Sequence, residues 1–201
     1  MALLLGLWTA RHVLLPAPPL PKLSAGTALP APRPLAPFTL VDQHGQRFDL
    51  ARLKGAWTFL FFGYTHCPDV CPTTMATLNI VTGKIAATGG QGAPIHVVFV
   101  SVDPARDTVA RLAEYVPYFN KEFIGVTGTP ADVDAFAAQL NILHMRSPEH
   151  AADGGYNVDH TASILLIDPQ ARFSAIFSAP PMAPAIVQDF LRLRDYYEHR
   201  L

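Results

Sequence analysis

The chain has 201 residues, half of them hydrophobic, which is enough for one domain with a sizeable core. Its formal net charge is -1 and its pI is about 6.7, without a run of lysines or arginines, and this argues against nucleic acid as a partner. The two cysteines are too few for a disulfide framework or for a four-cysteine zinc site.

Residues 1–35 are interpreted as a leader followed by a tether. The chain starts with the apolar residues MALLLGLW, but this stretch is shorter than the ~20 residues that a membrane span needs. No charged residue precedes it, unlike the start of a signal peptide. We interpret it as the remnant of a membrane anchor, the alternative being a poorly ordered leader. Residues 16–37 are rich in proline and alanine and predict an extended tether, so the folded domain is expected over residues 36–201.

From that boundary the predicted elements follow in regular order. Two short strand patterns around a His-Gly turn predict a β-hairpin over residues 37–50. Continuous apolar runs predict buried strands, and apolar residues at helical spacing predict helices. The strands are expected over residues 57–64, 96–103, 161–168 and 171–177, and the helices over residues 73–87, 108–116, 130–141 and 184–199.

This order of elements predicts an α/β fold. The strand–helix–strand unit implies parallel pairing, whereas the two late strands around a turn add antiparallel ones. The expected architecture is a thioredoxin-like mixed sheet with helices on both faces. In such sheets ligands bind beyond the carboxyl end of a central strand, and the segment that follows residues 57–64 contains both cysteines.

Each cysteine in the segment FFGYTHCPDVCP, residues 61–72, is followed by a proline. A residue before proline is disfavoured in the α conformation, so Cys67 and Cys71 are both expected to be extended. Pro72 would then open the helix with Cys71 as its N-cap. The positive end of the helix dipole would lower the pKa of Cys71, which favours nucleophilic chemistry or metal binding. Two inert buried cysteines are the alternative.

Two thiols suit either a redox dithiol, for which a disulfide is sterically possible, or two ligands of a soft metal, for which a third ligand is needed. His160 is the candidate, because a strand over residues 161–168 that ran antiparallel to 57–64 would begin beside the cysteines. His66 adjoins Cys67, but adjacent side chains diverge in an extended chain. Met75 is another soft candidate, but packing on Val70 as a hydrophobic staple is favoured for it.

Several acidic residues are predicted near the same end of the sheet. Asp69 and Asp159 are carboxylates that would orient His160 or tune the charge of a site, or would simply be solvated. Asp103 follows the second buried strand and points to the same end. Asp107 is expected to cap the helix over residues 108–116.

Three segments together resemble the Sco/SenC family of copper-binding thioredoxin-like proteins. They are CPDVCP at residues 67–72, VDPARDT at residues 102–108 and DHTASILLIDP at residues 159–169, and the resemblance covers about residues 36–201. It implies that Cys67, Cys71 and His160 hold one copper ion per chain. Thiolate and imidazole ligands suit Cu(I), and a three-coordinate set leaves the ion open to exchange.

The same resemblance implies a copper metallochaperone tethered on the periplasmic side of the inner membrane. Its client would be the CuA centre of cytochrome c oxidase subunit II. The alternative is a thiol–disulfide oxidoreductase, in which Cys67 and Cys71 are a redox dithiol that keeps the client's cysteines reduced; only the chaperone requires His160. A peroxidase is a weaker interpretation, because it would need threonine and arginine beside an activated cysteine, and no arginine lies between residues 53 and 105.

Overall fold

A computed structural model of the protein describes residues 19–89, 92–150, 156–178 and 182–198, except for the side chains of 148–150. Residues 1–18 of the predicted leader and tether lie outside these ranges. No helix within them is long and apolar enough to cross a membrane.

The described residues form ten strands and five helices. The strands are β1 (Gly26–Pro34), β2 (Thr39–Asp42), β3 (Arg47–Asp49), β4 (Trp57–Gly63), β5 (Ile95–Ser101), β6 (Ile124–Thr127), β7 (His144–His150), β8 (Tyr156–His160), β9 (Ile164–Ile167) and β10 (Arg172–Phe177). The helices are α1 (Leu50–Leu53), α2 (Val70–Ala87), α3 (Val109–Phe119), α4 (Pro130–Gln139) and α5 (Ala183–Glu198).

Eight strands form one sheet in the order β1-β10-β9-β4-β5-β6-β2-β3. The β4–β5 and β5–β6 pairs are parallel and the other pairs are antiparallel, so the predicted mixed sheet is confirmed. All seven residues of β4 are buried. A strand that is buried on both faces reads as a continuous apolar run, which is why the sequence WTFLFFG predicted it.

The two faces of β4 pack against different helices. Side chains alternate along a strand, so Phe59 and Phe62 point to opposite faces. The ring of Phe59 lies 5.3 Å from that of Phe190 on α5. The ring of Phe62 lies 5.7 Å from that of Phe136 on α4. The prediction of helices on both faces is therefore confirmed.

The first strand was missed by the sequence analysis, which assigned it to the tether. β1 pairs with β10 at the edge of the main sheet. Its prolines, Pro30, Pro32 and Pro34, occupy alternate positions, and an edge strand tolerates proline where the missing N–H would face away from the sheet. Proline content therefore indicated a tether where the chain forms an edge strand.

A buried carboxylate on α5 holds the residues that precede β1. The carboxylate of Asp189 accepts hydrogen bonds from the backbone N–H groups of Ser24, Ala25 and Gly26, at 2.7–3.1 Å, and from the Ser24 hydroxyl. Its side chain is fully enclosed. A buried carboxylate is stable only when it is paired or hydrogen-bonded, and here backbone donors supply the partners. The described N-terminal segment is therefore fixed to α5.

Two strands next to the cysteine loop were also missed. No element was predicted for these residues, but β7 pairs antiparallel with β8 in a separate two-stranded sheet. His144 itself forms an ion pair with Asp134 of α4, at 3.1 Å between Nε2 and Oδ1. Neither strand has a continuous apolar run, so the pattern that revealed β4 was absent.

The substitution Asp189→Ala tests the attachment of the N-terminal segment. It leaves three backbone donors without their acceptor, so we expect the free energy of unfolding to fall by about 2–3 kcal/mol. Urea denaturation of both proteins measures this change. Gln188→Ala, an exposed substitution on the same helix, is the control and should change the free energy of unfolding by less than about 0.5 kcal/mol. Equal stabilities of the two variants would contradict the role of Asp189.

Candidate metal centre

The loop between β4 and α2 places the two cysteines in different environments. Cys67 lies before the helix and is partly buried, whereas α2 begins at Val70 with Asp69 as its N-cap. Cys71 therefore lies inside the first helical turn and is completely buried, so the prediction of an extended Cys71 at the N-cap is wrong. The first backbone N–H groups of a helix have no intrahelical acceptor, so Pro72 removes no hydrogen bond there and the helix begins before it.

The last residue of β4 makes room for the sulfur of Cys71. A Cβ atom added at Gly63 would lie 2.8 Å from Cys71 Sγ and 2.8 Å from a ring carbon of Phe99. Contacts this short do not occur between such atoms, so any larger residue at Gly63 would displace the cysteine or the ring. The absence of a side chain at this position lets the cysteine pack directly on the end of the central strand.

His160 reaches the cysteines by the route that the sequence predicted. β9 runs antiparallel to β4, with Phe61 opposite Ile164, so the residues before β9 lie beyond the end of β4. His160 Nε2 is 3.5 Å from Cys71 Sγ, and Nδ1 is 3.3 Å from the carbonyl oxygen of Thr161. The imidazole also packs edge-on against the rings of Phe61 and Tyr64. Aromatic contacts therefore fix the ring on the side that faces the thiols.

The ligand atoms of Cys67, Cys71 and His160 all lie within 4.8 Å of one another. Among the described residues, this is the only group of three or more histidine, cysteine or acidic side chains close enough to hold a metal ion. Cys71 is buried, whereas Cys67 and His160 are partly exposed. The structure therefore brings together the three residues that the sequence singled out.

The other candidates lie outside this group. His66 bonds through Nδ1 to the hydroxyl of Thr65 at 3.2 Å. Met75 is fully buried in the core. Asp69 accepts a hydrogen bond from the hydroxyl of Thr73, and Asp159 is exposed. Their possible influence on the charge of the site stays a prediction.

A hydrogen bond between the two thiols shifts their pKa values in opposite directions. The thiol of Cys71 donates a hydrogen bond to the sulfur of Cys67, and this bond is the main reason why the pKa of Cys67 is lowered to about 4. Contacts from His160 and from the backbone N–H groups of Cys71 and Asp69 lower this pKa further, whereas burial opposes the shift. The same hydrogen bond, together with burial, raises the pKa of Cys71. The sequence analysis expected the lowered pKa at Cys71 and was wrong. Burial of that sulfur opposes its ionisation and leaves the charge on the more exposed partner.

Asp107 binds Thr65 in the loop that carries the cysteines. Its buried carboxylate accepts hydrogen bonds from the backbone N–H of Thr65 at 2.9 Å, from the Thr65 hydroxyl at 2.7 Å and from the Ser101 hydroxyl at 2.7 Å. The predicted capping role is wrong, because Thr108 caps α3 by accepting from the backbone N–H of Arg111. The position of Asp107 just beyond the carboxyl end of β5 was the signal for a role at this edge of the sheet.

An arginine also reaches this loop from outside the interval that the sequence analysis considered. Arg111 Nε donates to the Thr65 hydroxyl at 3.2 Å. The lack of arginine between residues 53 and 105 therefore does not keep arginine away from the cysteines. Because the Thr65 hydroxyl already donates to Asp107, the observed contacts describe a supporting network beneath the loop.

Comparison of the sequence with known proteins finds a matching family and similar relatives. A model of the SCO1/SenC family matches residues 27–194. The mitochondrial SCO1 homolog 1 of Arabidopsis thaliana is 39% identical over 137 residues, which is 68% of this chain and 40% of that protein. The chain thus matches less than half of that relative's length.

Solved structures show the same fold. Arabidopsis thaliana ScoI with copper bound is 32% identical, with a TM-score of 0.73 over 82% of this chain and 98% of that chain. Bradyrhizobium japonicum ScoI with copper bound is 35% identical, with a TM-score of 0.68 over 79% of this chain and 98% of that chain. The predicted thioredoxin-like fold is confirmed by these likenesses.

Alkylation tests the unequal acidities of the two thiols. Because the pKa of Cys67 is lowered to about 4, Cys67 should react first in the reduced metal-free protein, at a rate that changes little between pH 6 and 8. In Cys71→Ala the hydrogen bond from the neighbouring thiol is lost, the pKa of Cys67 should rise, and the rate should increase with pH over this range. Mass spectrometry of iodoacetamide-labelled peptides measures both rates.

Cys71→Ser is the matched control, since its hydroxyl retains a donor and should preserve part of the flat pH profile. Faster labelling of Cys71 than of Cys67 in the unsubstituted protein would contradict the assignment.

Proposed function

The chain belongs to the SCO1/SenC family, and from that premise we propose that it is a copper metallochaperone. It holds one copper ion per chain on Cys67, Cys71 and His160 and delivers it to the CuA centre of cytochrome c oxidase subunit II. The observation that carries the proposal is the meeting of two thiol sulfurs and one imidazole nitrogen at the end of the central strand. The copper-bound state of the similar ScoI structures supports the same metal.

The chemistry of the three ligands favours Cu(I). Soft thiolates select Cu(I) over hard cations, and imidazole suits copper as well. Bonds of about 2.0–2.3 Å, as found for zinc with the same ligand types, would place three ligands about 3.5–4 Å apart around a trigonal ion. The 3.5 Å between Cys71 Sγ and His160 Nε2 already fits, and the other separations, none above 4.8 Å, need to close by no more than about 1 Å.

The exposure of the ligands suits a protein that must release its cargo. Cys71 is buried beneath the loop, whereas Cys67 and His160 are partly exposed. An incoming thiolate of a client therefore approaches from the side of Cys67 and His160. Ligand exchange through a three-coordinate ion requires no prior loss of a ligand, because a fourth position is open.

We further propose that the protein works at a membrane on the periplasmic side, with the segment before residue 19 as its tether or anchor. The support is the apolar start of the sequence. The copper-binding domain was expected over residues 36–201, and we extend it to include β1, which pairs with β10. The tether would then end at the residues that Asp189 holds.

A thiol–disulfide oxidoreductase is the second candidate, favoured by the lowered pKa of Cys67 beside the protonated thiol of Cys71. The thiolate of Cys67 would attack a client disulfide, forming a mixed disulfide and releasing one client thiolate. Cys71 would then lose its proton and attack Cys67, which releases the second client thiolate. Two electrons pass to the client, and a Cys67–Cys71 disulfide remains.

Copper titration tests the chaperone proposal and its proton balance. We expect one Cu(I) per chain. Cys67 is already ionised at neutral pH, whereas the raised pKa of Cys71 keeps that thiol protonated until the metal displaces its proton. Binding should therefore release about one proton, and the affinity for Cu(I) should fall about tenfold when the pH is lowered from 8 to 7. Competition with a Cu(I) chelator and a pH indicator measure both quantities. Tight binding by Cys67→Ser, or two ions per monomer, would refute the site.

The substitution His160→Ala separates the two functions. Loss of the third ligand should lower Cu(I) affinity at least ~100-fold, whereas disulfide reduction should persist because it requires only the dithiol. His66→Ala is the matched control, since His66 adjoins Cys67 but is not in the cluster, and it should bind copper normally. Chelator competition and reduction of a small disulfide are the two assays. If His160→Ala supports normal oxidase assembly at limiting copper and wild-type expression, the oxidoreductase replaces the chaperone as the function.

A further inference from the structure

His160 is carried by a hairpin that does not belong to the main sheet. β7 and β8 pair only with each other in the described sheets, so the hairpin is held to the rest of the domain by side chains. Along β8, side chains at alternate positions share a face. Tyr156, Val158 and His160 therefore share one face. On this face Val158 is buried, and His160 reaches the cysteines.

Tyr156 is the firmest of these attachments. Its hydroxyl donates to Asp103 Oδ1 at 2.7 Å. The guanidinium of Arg106 lies 3.7 Å from the centre of the Tyr156 ring, and Arg106 Nε also donates to Asp103 Oδ2. Arg146 lies 4.9 Å from the same ring and 3.8 Å from Asp103. We call Asp103, Arg106 and Tyr156 the tyrosine clasp.

Asp103, the clasp residue on the main domain that accepts from Tyr156, is held firmly in place. Asp103 is buried, and its backbone N–H donates to the hydroxyl of Ser101 at the end of β5. A buried carboxylate that lost the Tyr156 hydroxyl would leave an acceptor poorly satisfied, so separation of the hairpin is opposed. The guanidinium of Arg106 stacked on the Tyr156 ring adds to this attraction. Tyr64, which packs on His160 and is hydrogen-bonded to the backbone of Val158, is a weaker second attachment.

We propose that Tyr156 is a positioning residue for the copper site: the tyrosine clasp holds the hairpin against the domain, and its opening sets the rate at which His160 leaves the metal. The proposal rests on the copper-binding function proposed above. Opening of the clasp withdraws one ligand while Cys67 and Cys71, on the main domain, keep hold of the ion. The stability of a contact remote from the ligands thereby governs release.

The test compares Tyr156→Phe with Tyr118→Phe. The first removes only the hydroxyl that reaches Asp103 and keeps the ring beneath Arg106. The second removes a hydroxyl from a residue that is 86% exposed. Loss of one hydrogen bond to a charged acceptor should raise the population of the open hairpin ~10-fold. Methyl relaxation dispersion of Val158 in the metal-free protein measures this population on the microsecond-to-millisecond timescale, with Val100 in β5 as the internal reference.

In the copper-loaded protein, the rate of Cu(I) transfer to a chelator should rise by the same ~10-fold factor in Tyr156→Phe and stay unchanged in Tyr118→Phe. The proposal is overturned if Tyr156→Phe changes neither quantity, or if Val100 changes together with Val158, since the residue would then support the whole fold. Should Tyr156→Phe fail to fold, Arg106→Gln removes the cation that stacks on the Tyr156 ring and should shift both quantities in the same direction, and no shift would refute the clasp.

The metal-free measurement keeps this proposal separate from the copper function. A wider opening at Val158 in a protein that binds no copper would support the tyrosine clasp and refute the chaperone. If the protein binds copper but Tyr156→Phe leaves the open-hairpin population at Val158 unchanged, the chaperone is supported and the tyrosine clasp is refuted.

Discussion

The pairing of β9 with β4 is the contact on which the candidate site depends. It joins segments about a hundred residues apart and brings His160 within 3.5 Å of Cys71, 89 positions away in the sequence. Every residue of both strands is buried, so a shift of register by one residue would move each apolar side chain to the opposite face. The position of the imidazole is thus fixed by the packing of the core, and the site inherits the stability of the sheet.

Two buried carboxylates just beyond β5 support the site from different sides. Asp107 binds the loop that carries the cysteines, and Asp103 binds the hairpin that carries His160. Both are enclosed, and both are satisfied by hydroxyl, backbone or guanidinium donors, as buried charges must be. A segment of seven residues, VDPARDT, therefore contacts both the loop that carries the cysteines and the hairpin that carries His160, and it contains none of the three candidate ligands.

The parts of this arrangement that were predictable are those encoded by local pattern. Apolar runs revealed β4, β5 and β9, and their expected pairing placed His160 correctly. The edge strand β1 and the polar hairpin lack such runs. β1 pairs with β10 and follows the residues bound by Asp189, and the hairpin contacts the main domain through side chains such as Tyr156. The lowered pKa was assigned to the wrong cysteine because it depends on the hydrogen bond between the two thiols and on the burial of Cys71, which the proline rule did not reveal. Sequence thus predicted which residues meet, and tertiary contacts decided how they meet.

The attachment of Ser24, Ala25 and Gly26 to one carboxylate has a mechanical consequence. Any pull transmitted through the preceding chain first loads these three backbone bonds together, in parallel, and passes into α5. It does not break the hydrogen bonds between β1 and β10 one after another, as separating an edge strand from its end would. Bonds that share a load yield at a higher force than bonds broken in succession, so a tension applied from that end would have to break the hydrogen bonds to Asp189 together before it could separate β1 from β10.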